Sequence, residues 1–133
     1  MVKVFICFLF VAVFLSGGAS AHSFSGEWVW NNSPAARTFS IEIKQQGGEL
    51  QGQYCAVAQN GSRVDCDDEV NQNIGGNVDS NGVSATVRFS SFFGAKNGEA
   101  RIEVNGDHLH WHIIKNPDGG EFYSPRDAVL DRR

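Results

Sequence analysis

After its first fifteen residues the sequence has no apolar run approaching the ~20 residues that a membrane-spanning helix needs. It has no basic cluster either. Its 11 Lys and Arg face 15 Asp and Glu, a net charge of −4, which argues against nucleic acid and anionic membrane surfaces as partners. No Gly-x-Ser-x-Gly elbow is present, and no glycine-rich loop follows a strand and opens a helix. With no catalytic set to find, the expectation is a protein that is not an enzyme. No helical period of useful length, internal repeat or low-complexity linker appears. Cysteine is scarce, with only Cys7, Cys55 and Cys66.

The first residues set the compartment. Met1-Val2-Lys3 is a short positive segment, and residues 4–15 form an apolar run too short to span a bilayer comfortably. Ala19-Ser20-Ala21 then supplies the small-residue pattern of a signal-peptidase site. The reading is a signal peptide over 1–21 with cleavage after Ala21, and one domain over 22–133. Its 112 residues carry 10 basic against 15 acidic side chains, a net of −5. Cys7 leaves with the signal and has no lipobox before it. A secreted or periplasmic monomer with no membrane anchor after cleavage is expected, its two remaining cysteines bonded to one another.

Those cysteines flank the most informative stretch. Asn60-Gly61 suits a two-residue type I′ turn, whose central residues both take positive φ. Centred there, the hairpin sets Gln59 opposite Ser62 and, five pairs out, Cys55 opposite Cys66. Turn chemistry and cysteine spacing agree on one register, and closing so short a loop contributes roughly 3 kcal/mol in the chain-entropy view. Leu50, Gly52 and Tyr54 share one side of the strand, so Cys55 falls on the other and the bridge is an outer staple.

The rest of the chain alternates with period two. Phe39, Ile41 and Ile43 interleave with polar residues. So do Val83, Ala85, Val87 and Phe89, then Ala100, Ile102 and Val104, then Leu109, Trp111 and Ile113. Asp79-Ser80-Asn81-Gly82 and Asn105-Gly106 are strong turns. Phe24 to Trp30 reads as a first strand and Glu121-Phe122-Tyr123 as a short late one. Ser124-Pro125 reads as the start of a terminal helical turn. About eight strands at spacings near ten residues predict an all-β fold, an antiparallel up-and-down meander closed into a small barrel. A β-sandwich is the alternative.

Two motifs carry a resemblance. Gly26-Glu27-Trp28 with the nearby Asn31, and Leu50-Gln51-Gly52-Gln53-Tyr54, resemble the opening and third strands of avidin- and lipocalin-type barrels, the calycins. The resemblance covers about the first third of 22–133 and implies an eight-stranded barrel with a ligand in its mouth. Asn31 and Tyr54 would be polar contacts there, with Trp28 and Trp111 as aromatic walls. The avidin group uses several late tryptophans around biotin, whereas only Trp111 follows residue 30 here, so biotin is not expected. The chain also resembles small exported bacterial barrels such as periplasmic lysozyme inhibitors in outline, without their tyrosine-containing inhibitory loop.

Two other constellations bear on function. Ser91-Phe92-Phe93-Gly94 places adjacent aromatics on a loop. Both cannot enter the core from an ideal strand, so Phe92 and Phe93 are candidates for a protein or glycan contact, unless both plug the barrel end. His108-x-His110-x-His112 puts three imidazoles on one strand face, where two could converge on zinc or copper. The plainer reading is solvated outer-face histidines beside Glu99, Arg101 and Glu103. His22 would become the amino-terminal residue on cleavage and could chelate copper through its amine and imidazole. Asp65, Asp67, Asp68 and Glu69 read as a solvated acidic patch. Asn31-Asn32-Ser33 and Asn60-Gly61-Ser62 match the N-glycosylation pattern, relevant only in a eukaryotic host. The expectation is an exported, non-catalytic binding protein with no resident cofactor, taking a small molecule in the barrel mouth or an extracytoplasmic protein at the loop end. An inhibitor or immunity protein is one alternative, and zinc or copper on the histidine strand is another.

Overall fold

The computed structural model describes residues 23–69 and 71–133. The expectations that fall on 1–22 (signal segment, cleavage point, Cys7 and His22) lie outside the described residues. The alternating segments become strands: β1 Gly26–Val29, β2 Thr38–Gln46, β3 Glu49–Ala58, β4 Arg63–Asp65, β5 Ile74–Val78, β6 Ser84–Phe89, β7 Gly98–Asn105, β8 His108–Lys115 and β9 Asp127–Arg132. Each barrel strand pairs antiparallel with its neighbours in the chain, and β9 returns to pair with β1. Eight strands therefore close an antiparallel up-and-down barrel, and closure removes the free sheet edges. No helix among the described residues is long and apolar enough to cross a membrane.

β4 stands outside this ring. The Glu49–Gly52 half of β3 pairs with β5, while Ala56–Ala58 pairs with β4. The hairpin tip has the expected turn: Asn60 at φ 54° and Gly61 at φ 90°, with Ser62 N–H donating to Gln59 O at 3.2 Å. Ala58 faces Arg63, and Cys55 is bonded to Cys66 with Cα atoms 4.5 Å apart. The branch is thus fixed to the barrel by a turn at its tip and a disulfide at its base.

Eight strands leave an interior that side chains can fill, and here they do. Trp28, Tyr54 and Trp111 are fully buried, packed with Phe39, Ile41, Leu50, Val87, Ile102, Leu109 and Leu130. Each aliphatic or Phe side chain of this set contributes roughly 1.5–3 kcal/mol through burial. The rings of Phe39, Tyr54, Phe89 and Trp111 meet at tilted or edge-on angles with centroids 5.3–6.5 Å apart, a favourable aromatic geometry.

Two local readings change. The segment after Pro125 is a strand, β9, and no helical turn forms there. Ala128 and Leu130 point inward while Asp127 and Val129 point out, so period-two burial overrides the capping signal. Pairing with β8 begins one residue earlier, where Ile113 N–H donates to Arg126 O at 2.8 Å. Glu121, Phe122 and Tyr123 belong to a loop, where Glu121 forms an isolated parallel bridge with Gly94 of the 90–97 loop.

The loops divide by length. The β2–β3, β5–β6 and β7–β8 connections at one end are tight turns. At the other end lie residues 30–37, the β4 branch with 66–73, residues 90–97 and residues 116–126. Every long connection among the described residues is at that second, loop end.

Candidate functional site

One carboxylate organises the loop end. Ala56 and Asp65 are register partners, and because Ala56 points inward Asp65 does too. The side chain is fully buried and satisfied by three donors. Tyr54 O–H donates to Oδ2 at 2.6 Å, Tyr123 N–H to Oδ2 at 3.0 Å, and Phe92 N–H to Oδ1 at 2.8 Å. A buried carboxylate needs such partners, since burial without them costs several kcal/mol. Burial first, and then the adjacent Asp65, push the Tyr54 phenol far above its ordinary range. Tyr54 therefore stays a neutral hydrogen-bond donor.

Further contacts spread this anchor across the rim. Ser91 Oγ donates to Glu121 O at 2.7 Å and accepts from the N–H groups of Phe93 and Ala95 at 3.2 and 3.1 Å. Arg37 Nη2 donates to Tyr123 O at 2.7 Å and its guanidinium lies 5.8 Å from the Trp30 ring. Phe92 turns in, edge-on to Tyr54 at 6.1 Å, while Phe93 is 42% exposed and sits edge-on to Tyr123 at 5.4 Å. Val64 on the branch is 50% exposed. The rim thus presents apolar and aromatic side chains on loops whose backbones are tied to one buried point.

The aromatic side chains expected in a barrel mouth are placed otherwise. Trp28 Nε1 donates to Phe24 O at 3.0 Å, Trp111 Nε1 to Pro125 O at 2.9 Å, and Tyr54 to Asp65. All three are fully buried and spend their polar atoms inside the protein. Asn31 is exposed at the loop end, its Nδ2 donating to Asp131 Oδ2 at 2.9 Å. The three aromatic residues pack in the filled core and Asn31 lies outside it, so the four do not line a shared cavity.

The histidines lie on the outer face of β8. His108 Nδ1 meets Asp131 Oδ1 at 2.8 Å; His110 Nε2 and His112 Nδ1 meet the two oxygens of Asp127 at 2.5 and 3.1 Å. Partial burial works to raise the Asp127 carboxyl, but the two histidines outweigh it and hold it below its usual range. The ring nitrogens are shared between two aspartates, and among the described residues no group of three or more His, Cys, Asp or Glu side chains is arranged to hold an ion.

Asp65 is the residue that a local reading misses. Its signal is the hairpin register: if Cys55 and Cys66 face outward, their neighbours Ala56 and Asp65 must face inward. Compared with models of protein families, with curated proteins and with solved structures, the chain matches none.

Proposed function

We propose that this domain is a non-catalytic binding protein of an extracytoplasmic compartment, engaging a protein partner through the loop end of its barrel as an inhibitor or immunity protein would. The disulfide is consistent with such a compartment. The observation that carries the reading is the exposure of Phe93 on a rim held by the Asp65 network. Exposed aromatics on fixed loops are what interfaces use as anchors, and a prearranged loop loses little entropy on binding. A small ligand in the mouth is not part of the proposal, because the interior is filled.

The test is capture from the extracytoplasmic fraction of the host, comparing the native protein with Phe93→Ala. The native protein should retain one defined protein. The variant should bind it about 30-fold more weakly, the equivalent of an anchor contributing about 2 kcal/mol, with an unchanged melting temperature because Phe93 is not core. Equal capture by both forms would sink the proposal.

A further inference from the structure

Strand β5 contains adjacent glycines with different reasons to be there. A Cβ on Gly76 would lie 2.6 Å from Thr86 O and 3.0 Å from Val87, so the fold has no room for one. A Cβ on Gly75 would meet only Leu50 O, at 3.9 Å, an ordinary contact, and its φ lies outside the left-handed region. Glycine inside a strand weakens it by roughly 0.5–1 kcal/mol relative to alanine. At position 75 neither sterics nor backbone conformation explains that loss.

What the missing side chain creates is a groove. Gly75 lies between Gln51 of β3 and Arg88 of β6, its register partners on either side. These outward-facing neighbours are roughly 10 Å apart at their Cα atoms, two strand spacings. The resulting open groove, of about 730 Å³, runs along the outside of β5, a volume ordinary for a ligand site. Asn77 lines it toward the turn end, and Gln72, Lys96 and Asn97 toward the loop end.

Two cations, Arg88 and Lys96, lie in its lining. Among the described residues neither Arg88 nor Lys96 has an ion-pair partner. Glu49, the carboxylate in the lining, accepts from Gln51 Nε2 at 3.2 Å. The lining thus carries two cations against one carboxylate on an acidic protein, with Glu99 standing opposite Arg88 on β7. The side-chain amides of Gln51, Gln72, Asn77 and Asn97 line the groove with the two cations. Gln51 already spends one donor on Glu49, but an amide offers both donors and an acceptor. That suits hydroxyls, which also do both. A peptide strand has no edge to add to, since β5 is paired on both sides, and a nucleic acid would need more than two cations.

We propose that this groove is a second binding site, independent of the loop-end partner, for an acidic oligosaccharide: amides on its hydroxyls, Arg88 and Lys96 on a uronate carboxylate, and the bare backbone at Gly75 as the floor. The test is a titration with tetragalacturonate followed by amide chemical shifts, using the native protein, Gly75→Leu and an Arg88→Ala, Lys96→Ala double variant. The native protein should show saturable shifts at Gly75, Asn77 and Asn97. Gly75→Leu should bind at least 10-fold more weakly while melting at the same or a higher temperature. The double variant should lose a similar factor, and Phe93→Ala should bind normally. No shift at millimolar ligand, or equal binding by Gly75→Leu, overturns the site. Normal binding by the double variant overturns the acidic class of ligand.

Discussion

At the turn end of the barrel a cation gathers carbonyl oxygens; at the loop end an anion gathers amide hydrogens. Arg132 of β9 donates to Ser25 O at 2.8 Å and Ser23 O at 3.0 Å, and stacks 4.2 Å from the Trp28 ring. It fastens the leading segment, with buried Phe24, across the barrel bottom. Asp65 does the reverse job for loops 90–97 and 116–126. The turn-end loops hold themselves, because each is a few residues of turn chemistry between paired strands. At the loop end local contacts such as those of Ser91 Oγ with the Phe93 and Ala95 N–H groups are joined across loops by one carboxylate delivered by a disulfide-tied branch. Loops of different parts of the chain can thus be tied to one buried point while their exposed residues remain free to vary.

The largest effect that would test this contrast comes from Asp65→Ala. It leaves a phenol and two backbone N–H groups without their acceptor, at about 1–3 kcal/mol per orphaned group, partly relieved by entering water. A loss of roughly 4 kcal/mol in urea unfolding is expected. Amide exchange should quicken at 90–97 and 121–125 while the turns at the other end keep their protection. A loss below about 1 kcal/mol, smaller than one such group, or exchange raised equally at both ends, would show that the loops are held by something else.

Arg132→Ala is the mirror experiment, with a smaller effect. Two charge-assisted bonds, a cation–π contact and a 3.6 Å ion pair with the exposed Asp107 are lost, but the side chain is 28% exposed and water can replace part of them. Roughly 2 kcal/mol is expected, with exchange quickened in the 23–29 segment and not at 90–97. If both variants loosen the same amides, the two ends are one cooperative unit and the contrast fails.

The same asymmetry governs what could be read from the chain. Alternation at Phe39-x-Ile41-x-Ile43 and Leu109-x-Trp111-x-Ile113 exposes the core directly, because each barrel strand has a filled interior on one side and water on the other. Asn60-Gly61 and Cys55/Cys66 fix a register because both constraints are local. Asp65 was legible only by following that register one pair inward. Its neighbours Asp67, Asp68 and Glu69 make it look like part of a solvated patch. Trp28, Tyr54 and Trp111 look the same in sequence whether they wall a cavity or fill it, since that depends on which rings meet across the barrel. The vacancy at Gly75 was hidden for a related reason: Gly75-Gly76 reads as one weak strand, and only the strands on either side separate the glycine that packing demands from the one it does not.

The smallest effect, and the finest comparison, is in acid. Each end carries a partly exposed carboxylate held below its ordinary range. At the turn end Asp79 accepts from Ser84 Oγ at 2.9 Å and pairs with Arg101 Nη1 at 2.8 Å. At the loop end Asp67 accepts from Asn71 Nδ2 at 2.6 Å and from Glu69 N–H at 3.0 Å. A depressed folded pKa means that the unfolded chain binds the proton first. The stabilisation is therefore present above the unfolded value near 3.9 and is lost as pH falls through the folded value. Asp79→Asn and Asp67→Asn should each lower stability slightly at pH 6, flatten its decline below about pH 4, and converge with the native protein at the acid limit. The Asp79 variant should alter exchange around the β5–β6 turn and the Asp67 variant only around 66–73. If the double variant loses stability on acidification as steeply as the native protein, neither pair contributes to the acid limb, and the decline comes from carboxylates common to both forms.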